Sequence, residues 1–104
     1  MRRQTRFTGI SPAAWKECYD RDGGICRHCG KGGVLQAAHY VSRARGGMGI
    51  PTNLVMLCPD CHREMDQGDG KAIKEEMREY LESLYPPWSE ENQKYTKETG
   101  RNAE

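Results

Sequence analysis

Residues 53–66, NLVMLCPDCHREMD, place an apolar run, a Cys-x2-Cys pair and a helix start in one continuous stretch. The run Leu54–Leu57 is apolar throughout and leads directly into Cys58. Pro59 suits the first position of a helix, where a missing N–H has no intrahelical partner to lose, so PDCHREMD is predicted to be helical from Pro59. Cys58 and Cys61 sit at that junction, three positions apart.

A second pair of the same spacing, Cys26 and Cys29 in CRHC, lies upstream and is followed by glycine-rich GKGG. A Cys-x2-Cys turn lets two thiolates face one ion, and two such knuckles complete a tetrahedral Zn2+ shell. One pair alone could be a redox dithiol, and four cysteines in a secreted chain could form two disulfides. The N-terminal MRRQTRF is basic but has no following apolar region, so an export signal is not expected and zinc is favoured. The fifth cysteine, Cys18, falls on a predicted helix and reads as an ordinary small buried thiol.

The chain has 104 residues, enough for one domain, with 36% hydrophobic residues and a mean hydropathy of −0.92. A core this limited gains from a metal staple, because a bound ion adds stability that burial cannot. No apolar run approaches membrane-spanning length, and a soluble, cytoplasmic protein is expected. The net charge of +1 conceals a polarity: residues 1–63 carry ten Lys/Arg against four Asp/Glu, and residues 64–104 six against eleven. A basic half suits a phosphate-binding surface, since protein cations displace counterions from nucleic acid. Solvated surface charge is the simpler explanation unless a site lies among the arginines.

Around the knuckles the chain reads as a small α+β domain. Residues 1–10 form a basic arm, 11–88 the domain and 89–104 a polar tail. SPAAWKECYDRDGG has a Ser11 N-cap, Pro12 at the first helical position and a Gly23-Gly24 stop. VLQAAHYV is predicted to supply strand one and the turn into strand two, and SRARGGMGIPT a Gly/Pro loop. GKAIKEEMREYLESLY is an amphipathic helix with Ile73, Met77, Tyr80, Leu81 and Leu84 on one stripe, ended by Pro86-Pro87. Ser89 opens a tail expected to fray.

Three polar residues are interleaved with the knuckles: His39, Asn53 and His62. With AHYVSRARGG and TNLVMLCPDCHREMD around them, the segment from about Asp22 to Asp66 resembles the HNH endonucleases, the ββα-metal nucleases common in phages and mobile elements. The resemblance implies metal-dependent hydrolysis of DNA phosphodiester bonds, leaving 5′-phosphate and 3′-hydroxyl ends. It assigns His39 as the base that deprotonates water, Asn53 as the side chain orienting it, and His62 as a ligand of a catalytic divalent ion such as Mg2+ or Mn2+. Arg43, with Arg45 as the weaker candidate, would grip a neighbouring phosphate. Small phage members work beside DNA-packaging machinery, so the resemblance also implies a terminase partner.

One position departs from the pattern. Many members place Asp or His just before the base as a second ligand, where this chain has Ala38. Asp66, four residues beyond His62 on the same helical face, is the candidate replacement, with Gln36 and the substrate as lesser ones. Two other functions compete: a non-catalytic zinc module that binds DNA through its arginines, and an adaptor whose acidic C-terminal helix binds a partner. A degenerate nuclease is the third alternative.

Overall fold

The computed structural model describes residues 8–68 and 70–95. Helix α1 (Pro12–Arg21) begins where the Ser11 hydroxyl accepts the Ala14 N–H at 3.0 Å, and Gly23 and Gly24 follow it at φ 75° and 70°. Strands β1 (Gln36–His39) and β2 (Leu54–Leu57) pair antiparallel, with Gln36 opposite Leu57 and His39 opposite Leu54. Helix α2 (Pro59–Gln67) starts directly after β2, and α3 (Lys71–Leu84) packs against it. The result is a two-stranded α+β unit.

Every residue of β2 is buried, so both faces of this hairpin are covered. Two four-residue strands alone would be marginal in water. Asp22 ties them to their surroundings. Its fully buried carboxylate accepts from Arg21 at 2.6 and 3.0 Å, the Met56 amide at 2.9 Å and the Tyr80 hydroxyl at 2.5 Å. Arg21 in turn donates to the carbonyls of Pro51 (2.8 Å) and Leu54 (2.7 Å). A buried charge is tolerated when it is paired and its remaining lone pairs are satisfied, and here that pairing joins α1, β2 and α3.

Cys18 lies in the core, and burial pushes its thiol up to about 11, so it stays protonated as expected of an ordinary buried cysteine. Among the described residues, no helix is long and apolar enough to cross a membrane.

Several boundaries differ from the sequence expectation. The strand connection runs over residues 40–53 and takes in the expected Gly/Pro loop, folded into two short 3-10 turns, Arg43–Arg45 and Pro51–Asn53, so that β2 starts only after it. Residues 89–95 dock onto this loop instead of fraying: the Met48 amide donates to the Gln93 carbonyl (2.9 Å) and the Tyr95 amide to Gly46 (2.7 Å). Gly47 permits the fold-back, since a Cβ there would lie 1.7 Å from the Val41 carbonyl oxygen. Residues 96–104, the rest of the expected tail, lie outside the described residues. Of the α3 stripe, Ile73, Met77 and Leu81 are buried but Leu84, the last residue of the helix, is 40% exposed. Residues 8–10, expected to belong to the arm, are part of the fold; Thr8 is buried. Residues 1–7 of the arm lie outside the described residues.

Candidate metal centre and active site

The two knuckles meet because β2 delivers Cys58 to the start of α2 while Cys26 and Cys29 turn beside it. In each knuckle the first sulfur accepts the backbone N–H of the second cysteine: Cys26 Sγ from Cys29 at 3.4 Å, and Cys58 Sγ from Cys61 at 3.5 Å. All four sulfurs lie within 4.8 Å of one another, and Cys29 and Cys58 Sγ are 3.7 Å apart. A disulfide needs about 2.05 Å. Four thiolates around one zinc at about 2.3 Å would be separated by about 3.8 Å, so the cluster fits the ion. Burial pushes the Cys26 thiol up, but hydrogen bonds from the backbone at Cys29, Cys58 and His28 outweigh it and bring it down to about 6. The Cys61 thiol is pushed up, by burial first and then by its three sulfur neighbours. Four sulfurs this close cannot all ionise without a cation among them.

His39 ends β1 and is partly buried. Its Nε2 lies 2.8 Å from the Thr8 carbonyl oxygen, which can only accept, so Nε2 carries the hydrogen and donates. Nδ1 is left with the lone pair. Burial above all, then the charges of Arg43 and His62, hold the imidazole below its ordinary pKa against the opposing effects of the Thr8 bond and Asp66. The ring is therefore neutral near pH 7, the form that accepts a proton.

His62 and Asp66 share one face of α2. The His62 ring sits between two oxygens, with Nδ1 2.7 Å from Gln36 Oε1 and Nε2 3.3 Å from Asp66 Oδ2. Once Nδ1–H donates to Gln36, a neutral ring turns its Nε2 lone pair toward a carboxylate, an arrangement that a shared cation satisfies. Two neighbouring ligands on an octahedral ion with bonds of about 2.1 Å are about 3.0 Å apart, so this donor pair fits a small divalent cation. His39, His62, Asp66, Arg43, Ser42 and Ile10 line one open cleft.

The expected constellation is thus partly reassembled. Asn53 does not orient His39. Its side chain is buried beneath the loop, accepting from the Val41 amide (2.9 Å) and donating to the carbonyls of Val41 (3.2 Å) and Met48 (2.8 Å). It shapes the connection that carries Arg43. Arg45 is not among the residues lining the cleft and pairs with Glu90 at 3.8 Å. Gln36 acts on His62 rather than facing the ion alone. The Thr8 carbonyl was absent from the sequence reading, because a main-chain oxygen has no residue-type signature.

Ala38 is fully buried opposite Val55. Alternation along β1 sets it on the face of Gln36, whose amide reaches His62. An aspartate there would be buried, on the strand face that also carries Gln36. Without divalent ions Ala38→Asp is therefore expected to destabilise the fold by about 3–5 kcal/mol, the cost of an unpaired buried charge, and so to melt at a lower temperature. Added Mn2+ should then raise it by more than it raises the parent's. Equal Mn2+ shifts in thermal melts of the two proteins would show that position 38 does not reach the ion.

Comparison with known proteins agrees with this geometry. Residues 26–67 match the HNH endonuclease family model, a span holding all four zinc-type cysteines, His39, Asn53, His62 and Asp66. The chain is 32% identical over 71 residues to the Type IV methyl-directed restriction enzyme EcoKMcrA of Escherichia coli (strain K12). That alignment covers 60% of this chain and 24% of the relative, so the chain spans about a quarter of that enzyme's length. The Type IV phosphorothioation-dependent restriction endonuclease ScoMcrA shares the fold, with a TM-score of 0.59 and 24% identity over 72% of this chain and 19% of that one. Over residues 26–67, this chain is thus similar to the HNH endonuclease family.

Proposed function

We propose that the chain is a metal-dependent endonuclease that hydrolyses phosphodiester bonds in DNA. The observation that carries this reading is the shared cleft, in which a neutral His39 with a free Nδ1 lone pair stands with the His62–Asp66 pair and Arg43. His39 Nδ1 takes the proton from the attacking water, while its Nε2–H stays bound to Thr8. Gln36 fixes the ring of His62, so that Nε2 and Asp66 together would hold a divalent ion. When bound, that ion supplies the positive charge that stabilises the leaving oxygen. Arg43 holds a non-bridging phosphate oxygen and sets the scissile bond over the base. Zinc in the four-cysteine site is structural.

The names of the two relatives support DNA as the substrate. Their recognition of modified DNA is not carried over, since this chain spans a small part of each. The terminase partner implied by the family resemblance has no support from either relative and is not part of the proposal. Among the described residues two side chains would hold the cation, which favours one alternative, a zinc-stapled module that binds DNA without cutting it. Incubating supercoiled plasmid with purified protein and Mg2+, Mn2+ or Ni2+ separates the two. Nicked or linear product that EDTA abolishes supports the nuclease, and retarded but intact DNA with all three ions supports the module.

The phosphate contact has its own expected outcome. Arg43→Ala should weaken DNA binding across all sequences and reduce the slope of log affinity against log salt by about one. Arg45→Ala should have the smaller effect, because Arg43 lines the cleft and Arg45 is not among its lining residues. Fluorescence anisotropy at several salt concentrations measures both, and an unchanged slope for Arg43→Ala would remove Arg43 from the interface.

A further inference from the structure

Beyond α3 the chain turns back, and residues 88–95 run along the loop that joins the two strands. Three anchors hold this C-terminal strap. At its start the Trp88 indole N–H donates to the Thr52 carbonyl at 2.7 Å, and the ring meets Tyr40 edge-on with centroids 5.4 Å apart. In the middle stands Gln93, only 3% exposed. Its Oε1 accepts the Thr52 hydroxyl at 2.7 Å, its Nε2 donates to the Ser89 carbonyl at 2.8 Å, and its main-chain carbonyl accepts the Met48 amide. At the far end the Tyr95 amide donates to the Gly46 carbonyl. Gly46 closes the Arg43–Arg45 turn, its own amide donating to the Arg43 carbonyl at 3.0 Å. The strap thus meets the loop at Tyr40, Gly46, Met48 and Thr52, before and after the turn that carries Arg43.

We propose that this strap is a positioning element for DNA: through the buried Gln93 side chain it holds the turn at residues 42–47 in the shape that presents Arg43 to a phosphate. A surface loop opens locally at little cost unless contacts from outside hold it. The ordering of a loose turn on binding is subtracted from affinity, so a turn already held in place binds more tightly. Asn53 braces the loop from within, and its side-chain bonds end at Val41 and Met48. Met48 is where the two braces meet, its carbonyl taken by Asn53 and its amide by Gln93. From there to Gly46 the strap supplies the hold. Its residues lie outside 26–67, the span matched by the family model. This proposal rests on Arg43 being the phosphate contact.

Gln93→Leu tests it in the full, zinc-loaded chain, with the affinity for a short labelled DNA duplex measured without added Mg2+ or Mn2+, so that cleavage does not enter. Leucine keeps the bulk of the side chain and neither of its polar bonds. The slope of log affinity against log salt should fall by about one, as for Arg43→Ala. The deciding measurement is the double variant. Residues that act through one another are not additive, so Gln93→Leu combined with Arg43→Ala should bind no more weakly than Arg43→Ala alone, whereas a general loosening of the fold would add its own loss. Thr52→Val removes only the hydroxyl that Gln93 accepts, and it repeats the cycle with a milder change should Gln93→Leu lose its zinc or its cooperative melt. Parent-like binding by every strap variant that keeps its zinc, or a loss that adds in full to that of Arg43→Ala, overturns the proposal. If Arg43→Ala itself binds like the parent, the phosphate contact has failed and the role of the strap fails with it. Cleavage is tested apart from both by the plasmid assay.

Discussion

His39→Ala is expected to lose DNA cleavage while keeping its fold, its zinc and its divalent ion. Removing a general base typically costs about 10²–10⁴-fold in rate, so plasmid should stay supercoiled over times at which the parent has converted all of it. Because Nε2 faces the Thr8 carbonyl and His62–Asp66 form the donor pair, loss of the His39 ring should not weaken ion binding. His62→Ala should lose cleavage and ion binding together, and Asp66→Ala should lose both in milder form. Metal titration without DNA, followed by calorimetry or Mn2+ resonance, is the deciding measurement. Should His39→Ala lose the ion while Asp66→Ala keeps it, His39 is a ligand and the division of roles fails.

Removing zinc should unfold the chain. Structural zinc contributes on the order of 10–16 kcal/mol in small metal-stapled domains, at least as much as the roughly 5–15 kcal/mol of a typical folded protein. The reason here is local. β2 and α2 are joined at Cys58, and the sulfurs of Cys26 and Cys29 are what hold the first knuckle against that joint. Without the ion, four closely set sulfurs repel as they ionise, and the hairpin loses its clasp. Chelation with EDTA or phenanthroline should abolish the cooperative thermal transition, and Cys58→Ser should yield little soluble, helical protein. A Cys58→Ser protein that melts like the parent, with no zinc bound to either, would refute the staple.

The sequence by itself determined the parts whose information is local or whose chemistry belongs to a side chain. The two Cys-x2-Cys pairs specify one ion because few arrangements other than a tetrahedral shell use four thiols at that spacing. The cap at Ser11, the proline at the first helical position, Pro59, and the stripe of Ile73, Met77 and Leu81 fix where α1, α2 and α3 lie, since each depends on residues within a turn or two. The i, i+4 spacing of His62 and Asp66 was likewise enough to bring them together. Other features were decided only in three dimensions. Asn53 could as easily have faced His39 as the loop it braces, because its amide satisfies whichever polar groups the fold brings near. Arg43 and Arg45 are two residues apart in one arginine-rich loop, and the 3-10 turn between them turned one toward the cleft and the other toward Glu90. The acceptor that holds His39 is a backbone oxygen 31 residues away, identical in every residue type, so only the path of the chain could put it there.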